Sequence, residues 1–384
     1  MKVSMLVHNP PYQGGIVQYS VLLCNSMEGM VDFNLVGFKS LYPPLLYKGK
    51  LPKENRSGIN FKSISDNFVT WYNPLTWIKA YLRMKKSDII HMHWVSPLLT
   101  PLQYTILILN KLFSKKKIVL TCHNIESHET TFIDSMFTKM VFSKIDHFIV
   151  HADQNKVRLI TDYKIHENQV HVVPHGTFGY FTKWKNESKE ELRKEFDIKD
   201  EKVILFFGYI REYKGLKYLL KALSEVIKDN PKIKLIVAGE LWQDWSEYED
   251  IIKKNNLKDH VQIFPNYIND KEVHKFFDLA DIVVLPYYNS EQTISGPLLV
   301  SLAFGKPTIV SPVGGIKQFV NDEKEVIFSE PGNVDELSNN IKRLLKDNEL
   351  QKRLSDNALI ADKNHQWNAV ANHTVELYKK IMRD

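Results

Sequence analysis

The sequence predicts an α/β protein with two doubly wound, Rossmann-like domains, each a parallel sheet covered by helices. Short apolar runs bounded by turn residues recur along the 384-residue chain, and segments of helical length separate them, as in βαβ units. A chain of this length exceeds the size at which one hydrophobic core usually keeps growing, so two domains are expected. A highly charged stretch, KWKNESKEELRKEFDIKDEK, divides the apolar runs into two series.

Each apolar run is a predicted strand. The first series is KVSMLV, FNLVGF, IIHMHW, KIVLTC, HFIVH and VHVVP, and the second is VILFFG, IKLIVAG, VQIFP, IVVLP, PTIVS and EVIFS. With a helix start predicted at residues 187–189, we place the first domain at 1–180 and the second at 181–365. The last helix, about 366–384, follows the second series and is free to cross back to the first domain. The carboxyl ends of both sheets are expected to face one central cleft.

Composition excludes several classes of protein. Hydrophobic residues at 43% and charged residues at 25% are globular values. Two distant cysteines, Cys24 and Cys122, fit a reducing compartment and argue against a disulfide framework or a thiolate zinc site. The opening MKVSMLVHNPP is too soon interrupted to be a signal peptide, and no apolar stretch of membrane-spanning length follows. We therefore expect a cytoplasmic protein.

The net charge of +6 is concentrated in the first domain, where residues 1–180 hold 20 Lys and Arg against 12 Asp and Glu. Two segments, LTWIKAYLRMKK and YTILILNKLFSKKK, combine apolar residues with lysines. Such segments either lie on an anionic membrane surface or are core-packed helices with solvated charged ends. Nucleic acid is not an expected partner, because the basic residues are not interleaved with a recognition motif.

The first domain carries two candidate motifs directly after strands. Gly14 and Gly15 follow the first strand, where they either allow a ligand to approach the backbone or form a tight turn. His123 follows the strand KIVLTC and is the histidine for which a role at the site is predicted. A lone histidine near a strand end is more often a structural hydrogen-bonding residue. That interpretation is given to His91, His93, His151 and His175.

The second domain opens with GYIREYKG, residues 208–215, between an apolar run and a predicted helix. Arg211 and Lys214 lie there between Gly208 and Gly215, where the free N–H groups and the positive end of a helix attract an anion. A diphosphate fits this arrangement chemically, and both side chains are expected to be exposed. Residues 295–297, Ser-Gly-Pro, open another predicted helix that offers backbone N–H groups to a phosphate.

Taken in order, these motifs resemble those of a retaining glycosyltransferase of the GT-B fold. The likeness is to glycosyltransferase family four, the group 1 glycosyltransferases, and it covers essentially the whole chain: IVLTCHN, VVPHG, FFGYIREYKGLKYLLKAL, IVAGE, SGPLLVSLAFGKPTIVSPVGG and a final helix that begins at a tryptophan. The resemblance implies transfer of a sugar from a nucleoside diphosphate sugar to an acceptor hydroxyl, without a metal or other cofactor. It implies a glycan or lipid-linked acceptor, bound by the first domain, in cell-surface polysaccharide or glycolipid synthesis.

The resemblance also implies roles for individual residues. Arg211 and Lys214 would hold the donor diphosphate, and His123 would contact the donor sugar or the acceptor without acting as a base. Tyr267 and Ile268 would contact the nucleotide base. The catalytic set is therefore Arg211, Lys214 and His123, and the donor-binding set is Gly14, Gly15, Gly208, Tyr267, Ile268, Glu291, Gln292, Ser295, Gly296 and Pro297.

One departure from the family pattern keeps an alternative open. The family's two glutamates correspond to Gln292 and Val300 here, with Glu291 one residue out of register, and valine accepts no hydrogen bond from a ribose. The alternative is a glycosyltransferase-like subunit that binds a glycan or a partner without catalysis, although Arg211 and Lys214 argue against it. A dinucleotide-dependent dehydrogenase is disfavoured, because no G-x-G-x-x-G follows any strand.

Overall fold

The computed structural model describes residues 1–12, 14–41, 43, 58–125, 132–288 and 294–383. The chain forms two compact units, one of Met1–Gly176 with Trp367–Asp384 and one of Thr177–Gln366. The division at Gly176 lies close to the predicted boundary at 180. Each unit is an α/β structure around one parallel sheet, which confirms the predicted fold class.

The first unit contains a seven-stranded sheet. Its strands are β1 Lys2–Val7, β2 Asp32–Ser40, β3 Ser65–Thr70, β4 Ile89–Trp94, β5 Lys117–Cys122, β6 His147–Val150 and β7 Val170–Val172. Its helices are α1 Gly15–Ser26, α2 Pro74–Met84, α3 Thr100–Phe113, α4 Phe132–Phe142 and α5 Asp153–Tyr163. The described strands pair in parallel in the order β3-β2-β1-β4-β5-β6-β7. The order of the chain therefore reverses between β1 and β4.

The second unit contains a six-stranded sheet. Its strands are β8 Lys202–Phe207, β9 Ile233–Ala238, β10 Val261–Phe264, β11 Ile282–Leu285, β12 Thr308–Val310 and β13 Ile327–Phe328. Its helices are α6 Lys189–Glu195, α7 Leu216–Asp229, α8 Ser246–Lys254, α9 Val273–Leu279, α10 Gly296–Ala303, α11 Ile316–Phe319, α12 Val334–Lys346 and α13 Asn348–Asn364. The described strands pair in parallel in the order β10-β9-β8-β11-β12-β13, with the reversal between β8 and β11.

Local signals explain where several of these elements begin. The helix start predicted at 187–189 is confirmed, because Ser188 caps α6 and forms a reciprocal capping box with Glu191. The last helix, α14 Trp367–Ile381, packs on α1, so it returns to the first unit as predicted. Among the described helices, none combines the length and the apolar character needed to cross a bilayer.

Candidate functional site

In the second unit the predicted anion-binding segments leave β8 and β11, the neighbouring strands between which the chain order reverses. Loops that leave a sheet at such a point diverge and open a crevice, which is where open α/β sheets bind ligands. The turn 208–215 follows β8, and residues 295–297, which follow β11, form the start of α10. The fold therefore brings these two segments together.

Two glycines allow the loops to approach each other. Gly208 has a φ of +114°, and a Cβ atom there would lie 3.0 Å from Cγ of Pro297. Gly215 has a φ of +72°, and a Cβ atom there would lie 1.8 Å from the carbonyl oxygen of Pro286. Other residues rarely adopt these φ values, and the space beside Gly215 admits no side chain. The turn therefore depends on glycine.

Lys214 is the buried cation of this site. Its Nζ atom lies 4.3 Å from the ring centroid of Tyr287 and 5.1 Å from that of Tyr213. Burial, and then the charge of Arg211, lower the pKa of Lys214 to about 7. The prediction that this side chain is exposed is wrong, because it retains only 5% of its exposure. The segment after β11 closes over the turn, and the N–H of Tyr288 donates to the carbonyl of Tyr213 (2.7 Å).

Arg211 is half-buried and rests on aromatic rings. Its Cζ atom lies 4.0 Å from the ring centroid of Trp242 and 5.8 Å from that of Tyr209. Nε1 of Trp242 donates to Oε2 of Glu240 (3.1 Å), which fixes the indole beneath the guanidinium group. Nε of Arg211 is buried and has no hydrogen-bond partner within the part of the chain that the structure describes. A bound anion would satisfy it.

Trp242 and Glu240 were not found by reasoning from the sequence. The available signal was their position directly after β9, the strand beside β8. Gly239 begins this segment with a φ of +149°, and a Cβ atom there would lie 1.9 Å from the carbonyl oxygen of Gly208. The close approach brings the aromatic ring to Arg211.

The start of α10 offers fewer free backbone N–H groups to an anion than the sequence predicts. Oγ of Ser295 already accepts from the N–H of Leu298 (3.2 Å), and Pro297 has no N–H. The N–H of Gly296 is therefore the donor that remains in this turn. Oγ of Ser295 also lies 2.5 Å from Oη of Tyr287, the residue whose ring contacts Lys214. Ser295 thus links the helix start to the buried lysine.

The predicted base-contacting residues line a pocket of about 410 Å³ beside the end of β10. Tyr267 and Ile268 form part of its wall, and three phenylalanines lie next to them. The ring centroids of these phenylalanines lie 5.1 to 5.3 Å apart, in the group Phe196, Phe264 and Phe276. The wall also contains the charged residues Glu195, Glu272 and Lys275, so the pocket combines an aromatic part, which suits a planar ring, with polar groups.

A buried aspartate holds the tyrosine of this pocket. Oη of Tyr267 donates to Oδ1 of Asp270 (2.9 Å), and Oη of Tyr180 donates to Oδ2 (2.7 Å). Burial, and then the negative charge of Asp270, raise the pKa of Tyr180 well above its ordinary value. Tyr180 therefore stays protonated and remains a donor to Asp270.

Two predicted residues, Glu291 and Gln292, lie outside the described residues. Val300, the other position at which the family pattern has a glutamate, is buried in α10. Its side chain therefore belongs to the hydrophobic interior of the second unit.

In the first unit, Gly14 caps α1 with a φ of +104°, and its carbonyl accepts from Val17 and Gln18 (3.1 and 3.2 Å). This geometry explains the glycine at position 14 as a helix-capping turn. No atom of the described residues lies within 4 Å of a Cβ atom built on Gly15, so this part of the structure leaves the backbone there open to a close approach. Both interpretations of the pair remain compatible with the structure.

His123 belongs to a group of histidines that the sequence treated as separate residues. Tyr19 of α1 lies among them, and its ring centroid is 4.7 to 5.7 Å from four of their rings. Nδ1 of His93 lies 3.1 Å from Nε2 of His123, within hydrogen-bonding distance. The histidine cluster, as we call it, comprises His8, His93, His123, His151 and His175, at or after the ends of β1, β4, β5, β6 and β7.

The histidine cluster is uncharged at neutral pH. Burial lowers the pKa of His8 and of His151 to about 4, and that of His175 to about 3. Burial and the neighbouring imidazoles lower the pKa of His93 and of His123 well below the ordinary value. A neutral imidazole donates through one nitrogen and accepts through the other, as a sugar hydroxyl also does.

Among the residues that the structure describes, no group of three or more His, Cys, Asp or Glu side chains is arranged to hold a metal ion.

Two family descriptions match the chain, one for each unit. The description "Glycosyltransferase Family 4" matches residues 14–177, and "Glycosyl transferases group 1" matches residues 188–360. An uncharacterized glycosyltransferase of Methanocaldococcus jannaschii is 30% identical over 224 residues, which are 56% of this chain and 55% of that protein. A second one from this organism is 25% identical over 391 residues and covers 99% of each chain.

The chain spans about half the length of several curated relatives that it matches. Among solved structures, HepE of Anabaena in complex with UDP superposes with a TM-score of 0.77 at 16% identity, covering 99% of this chain and 100% of its own. HepE has also been solved with UDP-glucose. At this identity the likeness shows a shared fold.

Proposed function

Because the chain belongs to the group 1 glycosyltransferases of family four, we propose that it moves a sugar from a nucleoside diphosphate sugar to an acceptor hydroxyl with retention at the anomeric carbon. The bond between the anomeric carbon and the diphosphate oxygen breaks, and a bond to the acceptor oxygen forms. The nucleoside diphosphate leaves with the electron pair, and the acceptor hydroxyl passes its proton to the departing diphosphate oxygen. The observation that carries this proposal is the buried Lys214 beside Arg211 at the switch point of the second sheet.

In this mechanism the two cations stabilise the charge that develops on the leaving diphosphate. They are in place before the donor arrives, so they act by electrostatic preorganisation and form no covalent bond with it. The guanidinium group of Arg211 offers several N–H donors in one plane. The ammonium group of Lys214 is a point charge whose electrostatic interaction with the diphosphate is strong because little water surrounds it. The UDP and UDP-glucose complexes of HepE, a protein of the same fold, support a nucleotide sugar as the donor.

The remaining predicted residues take supporting roles. The pocket lined by Tyr267 and Ile268 receives the nucleotide base. In the first unit, His123 contacts the donor sugar or the acceptor through a neutral imidazole, and the backbone at Gly14 and Gly15 approaches the donor phosphate and the acceptor. None of these residues acts as a proton-abstracting base.

We propose that no metal or other cofactor takes part. The sequence contains no Asp-x-Asp pair of the kind that holds a divalent ion against a diphosphate. Arg211 and Lys214 supply the positive charge that such an ion would provide.

The acceptor we propose is a glycan or a lipid-linked intermediate in cell-surface polysaccharide or glycolipid synthesis. The protein would meet it on the cytoplasmic side, at the inner face of the cell membrane. The support for this place of action is the excess of Lys and Arg in the first 180 residues.

The alternative is a non-catalytic subunit that binds a glycan or a partner, and Val300 is the observation that favours it. A buried valine supplies no acceptor for the ribose hydroxyls, so the family's usual ribose contact is lost from this position. An assay of slow donor hydrolysis separates the two functions, because a catalytic site releases nucleoside diphosphate even without an acceptor. If no nucleotide sugar is bound or cleaved, the non-catalytic function is favoured.

The donor site is tested first by thermal shift with a panel of UDP, GDP and ADP sugars. We expect one of them to raise the melting temperature of the wild type and to have a much smaller effect on Lys214→Met. Methionine nearly fills the volume of the buried side chain, so the variant is expected to fold. Lys306→Met is the matched control, because Lys306 is a half-buried lysine of this unit and donates to the carbonyls of Asp278 and Ala280 (3.4 and 3.0 Å). An equal response in Lys214→Met would contradict the proposed donor site.

A further inference from the structure

The helices α2 and α3 of the first unit expose large apolar side chains to solvent. On α2 these are Leu75, Ile78 and Leu82, and at the end of α3 they are Leu112 and Phe113. Leu75, Leu112 and Phe113 keep 73%, 65% and 70% of their exposure. We call these five residues the apolar face. An exposed apolar group of this size on a folded protein marks an interaction site.

The spacing on α2 shows that these residues share one side of the helix. Positions 75, 78 and 82 are separated by three and four residues, which places them in one stripe. The opposite side of the same helix supplies Tyr81 and Met84 to the core. An ordinary surface helix has polar residues opposite its buried side, whereas this stripe is apolar and lies outside the hydrophobic core formed by the described residues.

Not all apolar residues of the two lysine-containing segments, LTWIKAYLRMKK and YTILILNKLFSKKK, reach the surface. Tyr81, Ile106 and Leu107 are buried in the core, so these parts of the two segments follow the core-packed alternative. The ends of the two helices meet, because Oη of Tyr81 lies 3.1 Å from Oγ of Ser114 and forms a hydrogen bond with it. The end of α2 and the exposed end of α3 therefore lie side by side.

The charge around the apolar face is of one sign. Between residues 71 and 125 the sequence has eight Lys and Arg and a single acidic residue, Asp88. Arg83 is paired with Asp66 (2.7 Å). Four of the other basic residues near the two helix ends, Lys85, Lys86, Lys111 and Lys115, have no carboxylate within ion-pair distance among the residues described by the structure.

We propose that the apolar face and these four lysines form a docking surface for a bilayer that contains anionic phospholipid. Leucine, isoleucine and phenylalanine side chains enter the boundary between headgroups and acyl chains, while the lysines contact lipid phosphates. An exposed leucine stripe contributes nothing to the binding of nucleic acid. A protein partner would need an apolar centre surrounded by acidic residues to match this surface. This inference rests on the proposed membrane location and identifies the surface that would bind the membrane. It does not depend on which nucleotide sugar is the donor.

Flotation with vesicles tests it, using the full chain without nucleotide. We expect the wild type to float with vesicles of phosphatidylglycerol and phosphatidylcholine at low salt, and to be released at high salt. Two variants should each reduce the bound fraction by about tenfold or more. One replaces Leu75, Ile78 and Leu82 with Gln, and the other replaces Lys85, Lys86, Lys111 and Lys115 with Gln.

Matched controls lie on the second unit. Leu359→Gln with Ile360→Gln changes exposed apolar residues of α13, and Lys228→Gln with Lys253→Gln, Lys254→Gln and Lys346→Gln changes lysines of α7, α8 and α12. These controls should float like the wild type. The proposal is overturned if the wild type ignores anionic vesicles at low salt, if phosphatidylcholine alone binds it equally, or if the controls lose binding as much as the α2 and α3 variants. The donor-induced rise in melting temperature of the α2 and α3 variants should equal that of the wild type. A loss of membrane binding can therefore be distinguished from a failure of the proposed glycosyltransferase function.

Discussion

The two units carry different chemical groups at the same edge of the same kind of sheet. The second unit places two cations, Arg211 and Lys214, after its switch-point strand β8. The first unit places neutral, buried histidines at the carboxyl ends of five strands. A doubly wound sheet thus determines where ligand-binding groups lie, while the residue types determine what they bind. Cations suit a diphosphate, and neutral imidazoles suit hydroxyl groups.

The largest effect is expected from removing the cations. Lys214→Met and Arg211→Gln should each lower the rate of nucleotide-sugar turnover by about two orders of magnitude or more, the scale of losing one preorganised charge contact. The measurement is release of nucleoside diphosphate. Lys306→Met and Arg353→Gln, changes elsewhere in the same unit, should retain the wild-type rate. Normal turnover in either site variant would remove the basis for the donor assignment.

The second prediction concerns the stability of the first unit in acid. The pKa of His8 and of His151 is about 4 in the folded chain, below the ordinary value of 6.5. The unfolded chain binds more protons between these values, so the free energy of unfolding is fully present above pH 6.5 and falls as the pH falls towards 4. A shift of this size corresponds to about 3 kcal/mol for each fully buried histidine.

Hydrogen exchange measures this loss separately in the two units. Between pH 7 and pH 5, amides of β4 and β5 should lose protection beyond the intrinsic change in exchange rate, while amides of β8 and β11 keep theirs. The ring nitrogens of His8 have no partner in the described part of the chain, so His8→Gln should make the loss less steep. Equal losses in both units would show that the histidine cluster does not control acid stability.

A smaller effect is expected on donor affinity near neutral pH. Lys214 has a pKa of about 7 without ligand, and a bound diphosphate stabilises its charged form and so raises that pKa. Binding then takes up a proton, and affinity should weaken by up to about tenfold for each pH unit above 7 until the pKa of the complex is reached. Lys214→Met should not show this dependence. A flat profile in the wild type would indicate that Lys214 does not contact the diphosphate.

The smallest expected effect is that of chelation. In the proposed mechanism Arg211 and Lys214 supply the charge opposite the diphosphate, so EDTA should leave turnover within about twofold of the untreated rate, far below the 10²-fold scale of a lost charge contact. Turnover is measured with and without EDTA, followed by added magnesium or manganese. Loss of activity that either ion restores would contradict the metal-free mechanism.

The sequence predicted the architecture because periodic apolar runs are strong local signals. The strand it missed, β3, reads SDNFVT and begins with three polar residues, which an edge strand tolerates because only one neighbour pairs with it. The return of the last helix to the first unit was predictable, because this helix follows the complete second series of strands and does not connect two of them.

The site was predicted less completely, because its properties arise from contacts between distant segments. A lysine in a polar turn is normally solvated, and Lys214 is buried only because Tyr287, on a segment more than 70 residues later in the chain, covers it. Taken one at a time, His93, His151 and His175 were interpreted as structural, and only His123 was given a role at the site. Parallel pairing of the strands brings residues such as His93 and His123 into contact, and their recurrence at successive strand ends was the signal available in the sequence.

Calorimetry of nucleoside diphosphate binding tests most directly whether the buried cation pair is the donor site. UDP, GDP and ADP are titrated into the wild type, Lys214→Met, Arg211→Gln and Lys306→Met at pH 6.5, where Lys214 is largely protonated. The account predicts that at least one nucleotide binds the wild type and Lys306→Met with equal affinity and binds each of the two site variants at least about tenfold more weakly, as expected for losing a charge-assisted contact. Equal affinity in all four proteins would contradict it.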